Sequence, residues 1–415
     1  MKRTLGIVVM VALLLIGCAQ PAAPSGPAAT PAGEPIIIGN IISLSGSVAM
    51  QGTTGNQGAI LAVEEINQKG GVLGRPLKLV ARDDKSLPEE STNAFRGLAA
   101  EGALLTMGIT SSASHAAISP LAKEQKVPYF AVMGYTGALT EALGHRYFFS
   151  LNTSDRVFGR IMAEHLAKQR YTKYAVIGND FAYGHSIIDG VMNLLKQAKP
   201  DVQVVSETWV PMTATDFTSN ITAIMAKKPD AVMFAGLVGA SSSAFVKQAI
   251  SFGLFSSAAA VHPTLGMPMN NAGLTTKEDV PEGVLTGTDY PYPPVNTPAS
   301  KAFYDAYKKR WNQVPIDSSS DAYTTVKFIA QAIQKAGKLD REAIINAAEG
   351  MSIEHPAFGN ITVRAFDHRS TGGWWMGYLT WDQTNNRPGM RDTWYVPGES
   401  YLPTQEEIQK LRAGK

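Results

Sequence analysis

Residues 36–84 contain two patterns of hydrophobic residues, one typical of a buried strand and one typical of a helix. An apolar run over 36–42 leads into a small polar loop, and the apolar positions from 59 to 66 then recur with helical spacing. The helix is predicted to end at Gly70-Gly71, and a second apolar run begins a strand at Leu77. This order predicts a βαβ unit, whose right-handed crossover places the ligand-binding loops at the carboxyl ends of the strands.

The alternation of strand and helix continues along the chain. Further strands are predicted at 104–109, 127–132, 174–177, 202–205 and 231–234, and further helices at 112–125, 187–195 and 217–226. The repeated theme predicts an α/β fold built from two similar lobes. The roughly 380 residues after position 35 exceed what one core holds, and the 45% hydrophobic content is enough to build two.

The first residues predict the compartment. Lys2 and Arg3 precede an apolar run over 5–16 that is too short to span a membrane, and Cys18 completes a lipobox. Residues 1–18 are therefore predicted to be a lipoprotein signal peptide, with Cys18 as the lipidated residue. The alternative is a plain secretory signal with an incidental cysteine. Because Cys18 is the 1 cysteine of the chain, no internal disulfide is expected. The Ala- and Pro-rich residues 19–35 are predicted to form a disordered linker.

The balanced charge and the absence of catalytic motifs exclude several classes of function. Removing Lys2 and Arg3 from the 37 basic residues leaves 35, against 35 acidic residues, so nucleic acid is not expected as a partner. The sequence has no GxGxxG, P-loop, GxSxG, HExxH or CxxC motif, and its 7 histidines lack metal-ligand spacing. We therefore expect no cofactor, no metal and no enzyme, and a hydrolase remains a minor alternative.

The segment SLSGSVAMQGTTGNQGAILAVEEINQKGGVLGRPLKLVARDD, residues 43–84, closely resembles the leucine/isoleucine/valine-binding-protein family. These proteins are the solute receptors of ABC importers and have a type I periplasmic-binding-protein fold. The resemblance extends over about 36–397, and further similar segments are 179–184, 215–218, 228–232 and 364–369. We interpret the last segment as structural, with His368 at the surface.

The resemblance implies two Rossmann-like lobes, with a ligand cleft between them and three chain crossovers. The expected first lobe holds 36–152 plus 289–350. The expected second lobe holds 153–288 plus 351–397, and 398–415 is left as a C-terminal tail.

Ser111 and Ser112 lie between a predicted strand and a predicted helix. Their hydroxyls and the free amides of a helix N-terminus suit an anion such as a carboxylate. Simple helix capping is the alternative. The family resemblance places the carboxylate-holding serine on Ser112 and its neighbouring contact on Ser111.

The resemblance also implies contacts away from this helix. A second segment on the carboxylate side falls on Met133, Tyr135 and Thr136, beside Gly134. Tyr183 corresponds to an aromatic contact from the second lobe, which could close over the ligand. A tyrosine used only for packing is the alternative.

The chain departs from the leucine-binding pattern where the ligand would lie. Leu237 and Gln51 stand where leucine binders have tyrosines, and 261–264 lacks the acid that pairs with the ligand ammonium. A buried ammonium without a partner costs several kcal/mol. We therefore expect a carboxylate or amide ligand without an α-ammonium group, with a branched-chain amino acid as the alternative. Asp321 could pair with an ammonium from another direction, or it could only cap a helix.

The function implied by the resemblance is that of an extracytoplasmic lipoprotein, anchored to a bacterial membrane through Cys18. It would capture a small ligand by hinge closure and deliver it to the permease subunits of an ABC importer. A ligand-sensing receptor subunit of the same fold is the alternative. We expect a monomer.

Overall fold

The computed structural model describes residues 33–237 and 239–414. Cys18, the predicted signal peptide and most of the 19–35 linker lie outside the described residues. The strands are β1 (Ile36–Ile42), β2 (Leu77–Asp83), β3 (Leu105–Ile109), β4 (Tyr129–Val132), β5 (Phe148–Ser150), β6 (Lys173–Asn179), β7 (Gln203–Val210), β8 (Ala231–Phe234), β9 (Ala259–His262), β10 (Leu285–Thr288), β11 (Ser352–His355), β12 (Gly359–Thr362), β13 (Trp374–Asp382) and β14 (Arg387–Val396).

The α-helices alternate with these strands over most of the chain. They are α1 (Ala49–Gln68), α2 (Pro88–Ala100), α3 (Ser112–Gln125), α4 (Asp155–Ala167), α5 (Ala182–Ala198), α6 (Thr218–Ala226), α7 (Gly239–Ser251), α8 (Leu254–Ser257), α9 (Pro268–Asn271), α10 (Pro298–Trp311), α11 (Asp317–Ala336), α12 (Arg341–Ala348) and α13 (Gln405–Ala413). Within the described part of the chain, no helix is long and apolar enough to cross a membrane.

The first lobe is built on a parallel sheet with the order β2-β1-β3-β4-β5. Its strands β3 and β4 are buried at every position, as in a parallel sheet that helices cover on each side. Helix α1 packs closely on α11. A Cβ at Gly58 would lie 2.0 Å from the carbonyl oxygen of Ser319, so only glycine allows this approach.

The second lobe is built on a sheet with the order β14-β13-β10-β9-β8-β6-β7. Strands β6 to β10 pair in parallel, whereas β13 pairs antiparallel with β10 and β14. Two hydrophobic clusters pack against this sheet. The chain passes between the two sheets after β5, after β10 and between β12 and β13. The predicted α/β fold with two lobes is therefore confirmed.

Two segments differ from the predicted lobe boundaries. The hairpin β11–β12 was expected in the second lobe, but its Ile353, Phe358 and Ile361 pack in the core of the first. It lies against α11, whereas the second sheet is extended by β13 and β14.

The predicted tail 398–415 contains a helix, α13. Thr404 and Glu407 form a capping box, and Ile408 is buried. Arg412 donates to the carbonyl oxygens of Thr140 and Glu141, both at 2.9 Å, so α13 is fastened to the lobe.

Candidate functional site

Two loops at the carboxyl edge of the first sheet form the centre of the candidate site. Strands β3 and β4 are neighbours that end at the paired residues Ile109 and Val132. The loop at Ser111 and the loop from Met133 to Thr136 therefore lie side by side. This adjacency brings together the predicted carboxylate contacts of the first lobe.

Ser111 is the N-cap of α3, and its Oγ accepts a hydrogen bond from the Ser114 amide at 3.2 Å. The capping alternative thus describes Ser111. Ser112 is the first residue of α3, and both serines are half-buried. A helix N-terminus that is partly open to solvent presents free amides to an anion. The ligand contacts of both serines remain predictions.

The neighbouring loop has an unusual backbone at Met133. Its φ is 67°, a left-handed value that is rare for a residue with a side chain. The Met133 amide donates to Oδ1 of Asn152 at 2.8 Å, and the Tyr135 amide donates to the Met133 carbonyl at 2.9 Å. Met133 is buried, whereas Tyr135 and Thr136 are half-buried. Asn152 therefore holds the loop in a shape that the chain rarely adopts by itself.

A buried arginine also holds this loop. Arg369 is 1% exposed and donates to the carbonyls of Gly134 at 2.7 Å, Thr136 at 3.0 Å and Asn152 at 3.2 Å. The hydroxyl oxygens of Ser150 at 2.8 Å and Thr140 at 3.1 Å also accept from it. Burial lowers the pKa of Arg369, but an arginine remains charged at neutral pH. One guanidinium thus joins the loop to the first and third crossings between the lobes.

Asp321 lies one turn into α11, whose N-cap is Ile316, so the helix-cap alternative does not describe it. Its carboxylate accepts a hydrogen bond from the side-chain amide of Asn152, and Nε2 of His355 lies 3.1 Å from Oδ1. Burial lowers the pKa of His355 to about 3, and its Nδ1 accepts from the Ala357 amide, so the neutral imidazole donates its Nε2–H to Asp321. Asp321 is therefore hydrogen-bonded to Asn152, which lies in the first crossing. Its contact with a ligand ammonium remains a prediction.

Two further carboxyl groups, of Asp289 and Asp317, interact with Tyr135. The Tyr135 hydroxyl donates to Oδ2 of Asp289 at 2.8 Å, and Asp317 accepts from the Ser318 amide at 2.8 Å. Burial raises the pKa of Asp317 to about 6, and burial followed by repulsion from Asp321 and Asp317 raises the pKa of Asp289 well above its usual range. These shifts mark a cluster of desolvated carboxyl groups beside the loop.

Three other predicted ligand contacts, Gln51, Leu237 and Tyr183, lie in other parts of the fold. Gln51 is buried in the first turn of α1. Leu237 is fully buried in a hydrophobic cluster with Phe234 and Leu265, so it is a core residue in this structure. Tyr183 lies in the first turn of α5, and its side chain is outside the described residues. Their ligand contacts stay predictions.

Sequence reasoning missed several residues of this site, among them Asn152, Asp289 and Arg369. Asp289 and Asn152 carry no motif, while Arg369 ends the segment 364–369 that we interpreted as structural. In that segment, His368 is 4% exposed and stacks on Phe149 at 4.0 Å between ring centroids. The expectation of a surface position for His368 was wrong, because its ring packs on the first lobe, where it also contacts the Phe148 carbonyl and the Glu349 carboxylate.

A separate groove of about 380 Å³ lies between α4 and α5. It is lined by residues such as Phe158, Gly159, Ile187 and Gly190. The predicted ligand contacts do not line it, so we do not place the ligand there.

Residues 35–385 match the family described as periplasmic binding protein. The chain belongs to this family. It is 28% identical over 339 residues to the Leu/Ile/Val-binding protein homolog 7 of Brucella suis biovar 1, an alignment that covers 79% of this chain and 84% of the relative. The predicted family and its extracytoplasmic setting are confirmed.

Solved structures share the fold of this periplasmic binding protein. A branched-chain amino acid transporter substrate-binding protein from Streptococcus pneumoniae, in complex with isoleucine, has a TM-score of 0.75 at 23% identity, covering 88% of this chain and 100% of that one. A solute-binding protein of an ABC transporter from Rhodopseudomonas palustris HaA2, in complex with p-hydroxybenzoic acid, has a TM-score of 0.74 at 21% identity, covering 89% and 99%. These two likenesses support the periplasmic-binding-protein fold of this chain.

Proposed function

We propose that this protein is the lipid-anchored substrate-binding component of an ABC importer. It captures a small carboxylate- or amide-containing ligand between its lobes and delivers it to membrane permease subunits, without chemical change to the ligand. The observation that carries the proposal is the open N-terminus of α3, with Ser111 and Ser112, beside the Met133–Thr136 loop. This is the arrangement that a carboxylate needs, because amides and hydroxyls supply donors without a buried countercharge.

The hydrogen bonds around the loop support capture by hinge closure. Asn152, at the first crossing, binds the Met133 amide, and Arg369, at the third, binds the Gly134 and Thr136 carbonyls. A ligand that contacts both this loop and the second lobe binds the closed state better than the open one. It therefore shifts the protein toward the closed state by that difference in affinity.

The anchor rests on sequence alone. Cys18 ends an apolar run, and the Pro-rich linker gives the domain room to move above the membrane. Since one acyl chain anchors a protein only weakly, stable anchoring needs the several chains of a bacterial lipoprotein.

The proposal is tested by identifying the ligand and then removing one contact. Mass spectrometry of small molecules released by denaturing the protein from its native host gives the ligand, which we expect to carry a carboxylate or an amide. Calorimetry with that compound should show binding weakened by roughly 1 to 3 kcal/mol in Ser112→Ala, the range for one partner of a charge-assisted hydrogen bond.

The matched control is Ser251→Ala, which removes an exposed hydroxyl at the end of α7 and should leave the affinity unchanged. Equal affinities of the wild type and Ser112→Ala would refute the placement of the ligand at α3. Conversion of the bound compound into a product would instead indicate an enzyme.

A further inference from the structure

The segment that leads into α13 is attached to the second lobe. After β14 ends, the side chain of Leu402 enters a hydrophobic cluster of that lobe. The carbonyl of Tyr401 accepts a hydrogen bond from Arg160 at 2.8 Å, and the Tyr401 hydroxyl donates to Glu164 at 2.6 Å. Arg160 and Glu164 both belong to α4, which packs against the second sheet. The start of α13 is therefore fixed to the second lobe.

The other end of α13 is attached to the first lobe. Arg412 donates to the carbonyls of Thr140 and Glu141, both at 2.9 Å, and to the carbonyl of Phe366 at 3.1 Å. Thr140 and Glu141 lie between β4 and β5 of the first sheet, and Phe366 lies in the third crossing. Helix α13 thus joins the lobes a fourth time, through hydrogen bonds instead of a continuous chain.

Two further arginines bind the same first-lobe segment. The guanidinium of Arg156, on α4, forms an ion pair at 3.0 Å with the carboxylate of Glu141, which is 5% exposed. Arg369 donates to the Thr140 hydroxyl at 3.1 Å and to the carbonyls of the Met133–Thr136 loop. Segment 140–141 is therefore connected to α4, to α13 and, through Arg369, to the predicted ligand loop.

Helix α13 has little freedom to stretch or to turn. Its 9 residues span about 13 Å at 1.5 Å per residue, and any lengthening would break its own backbone hydrogen bonds. A capping box of Thr404 and Glu407 fixes its start, and Ile408 is buried. A rotation that moves α4 away from segment 140–141 must therefore break the Arg412 hydrogen bonds or the ion pair of Arg156 with Glu141.

We propose that α13 is a non-covalent restraint that limits how far the two lobes open. The inference rests on the proposed hinge closure, because it requires lobes that move. The helix lies beyond residues 35–385, which match the family, so this role does not follow from family membership. Without the restraint, a smaller fraction of the free protein is close to the closed state, and the apparent affinity for a ligand falls by the same factor.

The test measures the distance between the lobes in the full chain, in detergent and dialysed free of small molecules. Glu89→Cys and Thr213→Cys place one thiol on each lobe, at exposed positions that follow β2 and β7. Because the 1 natural cysteine, Cys18, is expected to carry lipid, nitroxide labels attach to these two thiols. Double electron–electron resonance then gives the distribution of distances between the labels. In Arg412→Met the mean distance should lengthen and the spread should widen, because three hydrogen bonds to the first lobe are lost.

Two variants accompany this measurement. Lys410→Met removes one positive charge from the same helix, but Lys410 is exposed and pairs only with Glu406 of α13, at 2.7 Å. Its distribution should equal that of the wild type. Deletion of residues 404–415 removes the whole helix and keeps Leu402 in the second lobe, so it should lengthen the distance at least as much as Arg412→Met.

The outcomes decide the proposal. Distances equal to or shorter than those of the wild type in both Arg412→Met and the deletion variant would overturn the restraint. If the deletion variant does not fold, Arg412→Met decides alone, because this substitution changes only the last turn of α13. An equal lengthening in Lys410→Met would also overturn the proposal, since the lost charge would then be the cause. No ligand takes part in the measurement, so a failure of the carboxylate site in the calorimetry of Ser112→Ala would leave this result standing.

Discussion

Replacing Arg369 with methionine should strongly destabilise the fold. The side chains have similar lengths, but methionine has no donor for the five oxygens that the guanidinium reaches. Three of these are the carbonyls of Gly134, Thr136 and Asn152. They lie in two different segments, so one local shift of the backbone cannot restore all three hydrogen bonds.

The magnitude follows from what the substitution leaves behind. A buried acceptor without its donor costs about 1 to 3 kcal/mol. The Ser150 hydroxyl also contacts the Gly134 carbonyl at 3.3 Å, so not every acceptor is lost completely. Removing the buried cation also removes the free-energy cost of desolvating the guanidinium, which offsets part of this loss. We therefore expect Arg369→Met to lower the free energy of unfolding by about 3 to 5 kcal/mol, the range for one partner of a buried charged network.

Urea unfolding followed by the fluorescence of the 6 tryptophans measures this loss. Arg82→Met is the control, because Arg82 forms an exposed ion pair with Glu101 and should lose no more than about 1 kcal/mol. Arg369→Lys keeps the charge without the planar fork, so its stability should fall between those of the wild type and Arg369→Met. If the free energy of unfolding fell no further in Arg369→Met than in Arg82→Met, water or neighbouring groups would have replaced the guanidinium. That result would refute the predicted role of Arg369 in stability.

Three further predictions address the anchor, the hinge and the pH dependence. Cys18→Ser should accumulate as an unprocessed precursor without lipid, seen by mass spectrometry and membrane fractionation; normal cleavage and anchoring would contradict the lipobox. The native ligand at saturation should reduce the radius of gyration in small-angle scattering and raise the melting temperature, whereas an unchanged radius would argue against closure. Burial lowers the pKa of His115 from 6.5 to about 4, so its stabilising effect is full above pH 6.5 and is lost, by about 3 kcal/mol, as the pH falls toward 4. His115→Gln should therefore flatten the dependence of unfolding free energy on pH in that window; an unchanged slope would rule out His115 as its source.

Elements with a strong local pattern could be predicted from the sequence. The strand, helix and strand of 36–84 are β1, α1 and β2, because burial on one side of a helix and on both sides of a parallel strand produces distinct periods. Ser111 was correctly placed at a helix start for a similar reason, since capping depends on neighbours in the sequence.

Features that depend on distant contacts could not be predicted in this way. The hairpin β11–β12 and the strands β13 and β14 are close in sequence, yet they pack in different lobes, and only the surfaces they meet decide this. Leu237 follows a buried strand, and its apolar side chain suits a hydrophobic core as well as a ligand cleft. Its alignment with a ligand contact could not distinguish these two environments.

The polar residues of the site could not be predicted for the same reason, because they depend on contacts between distant segments. These residues lie at the crossings between the lobes. A loop with the left-handed backbone of Met133 needs support from outside its own segment, and Asn152 and Arg369 supply it from the chain that joins the lobes. Asn152 binds the Met133 amide with its oxygen and Asp321 with its nitrogen, so a ligand that moves the loop must strain or shift the first crossing. The atoms that shape the predicted ligand loop thus belong to the segments that join the lobes. In the proposed hinge closure, these shared hydrogen bonds would couple ligand binding at the loop to the movement of the lobes through directly bonded groups.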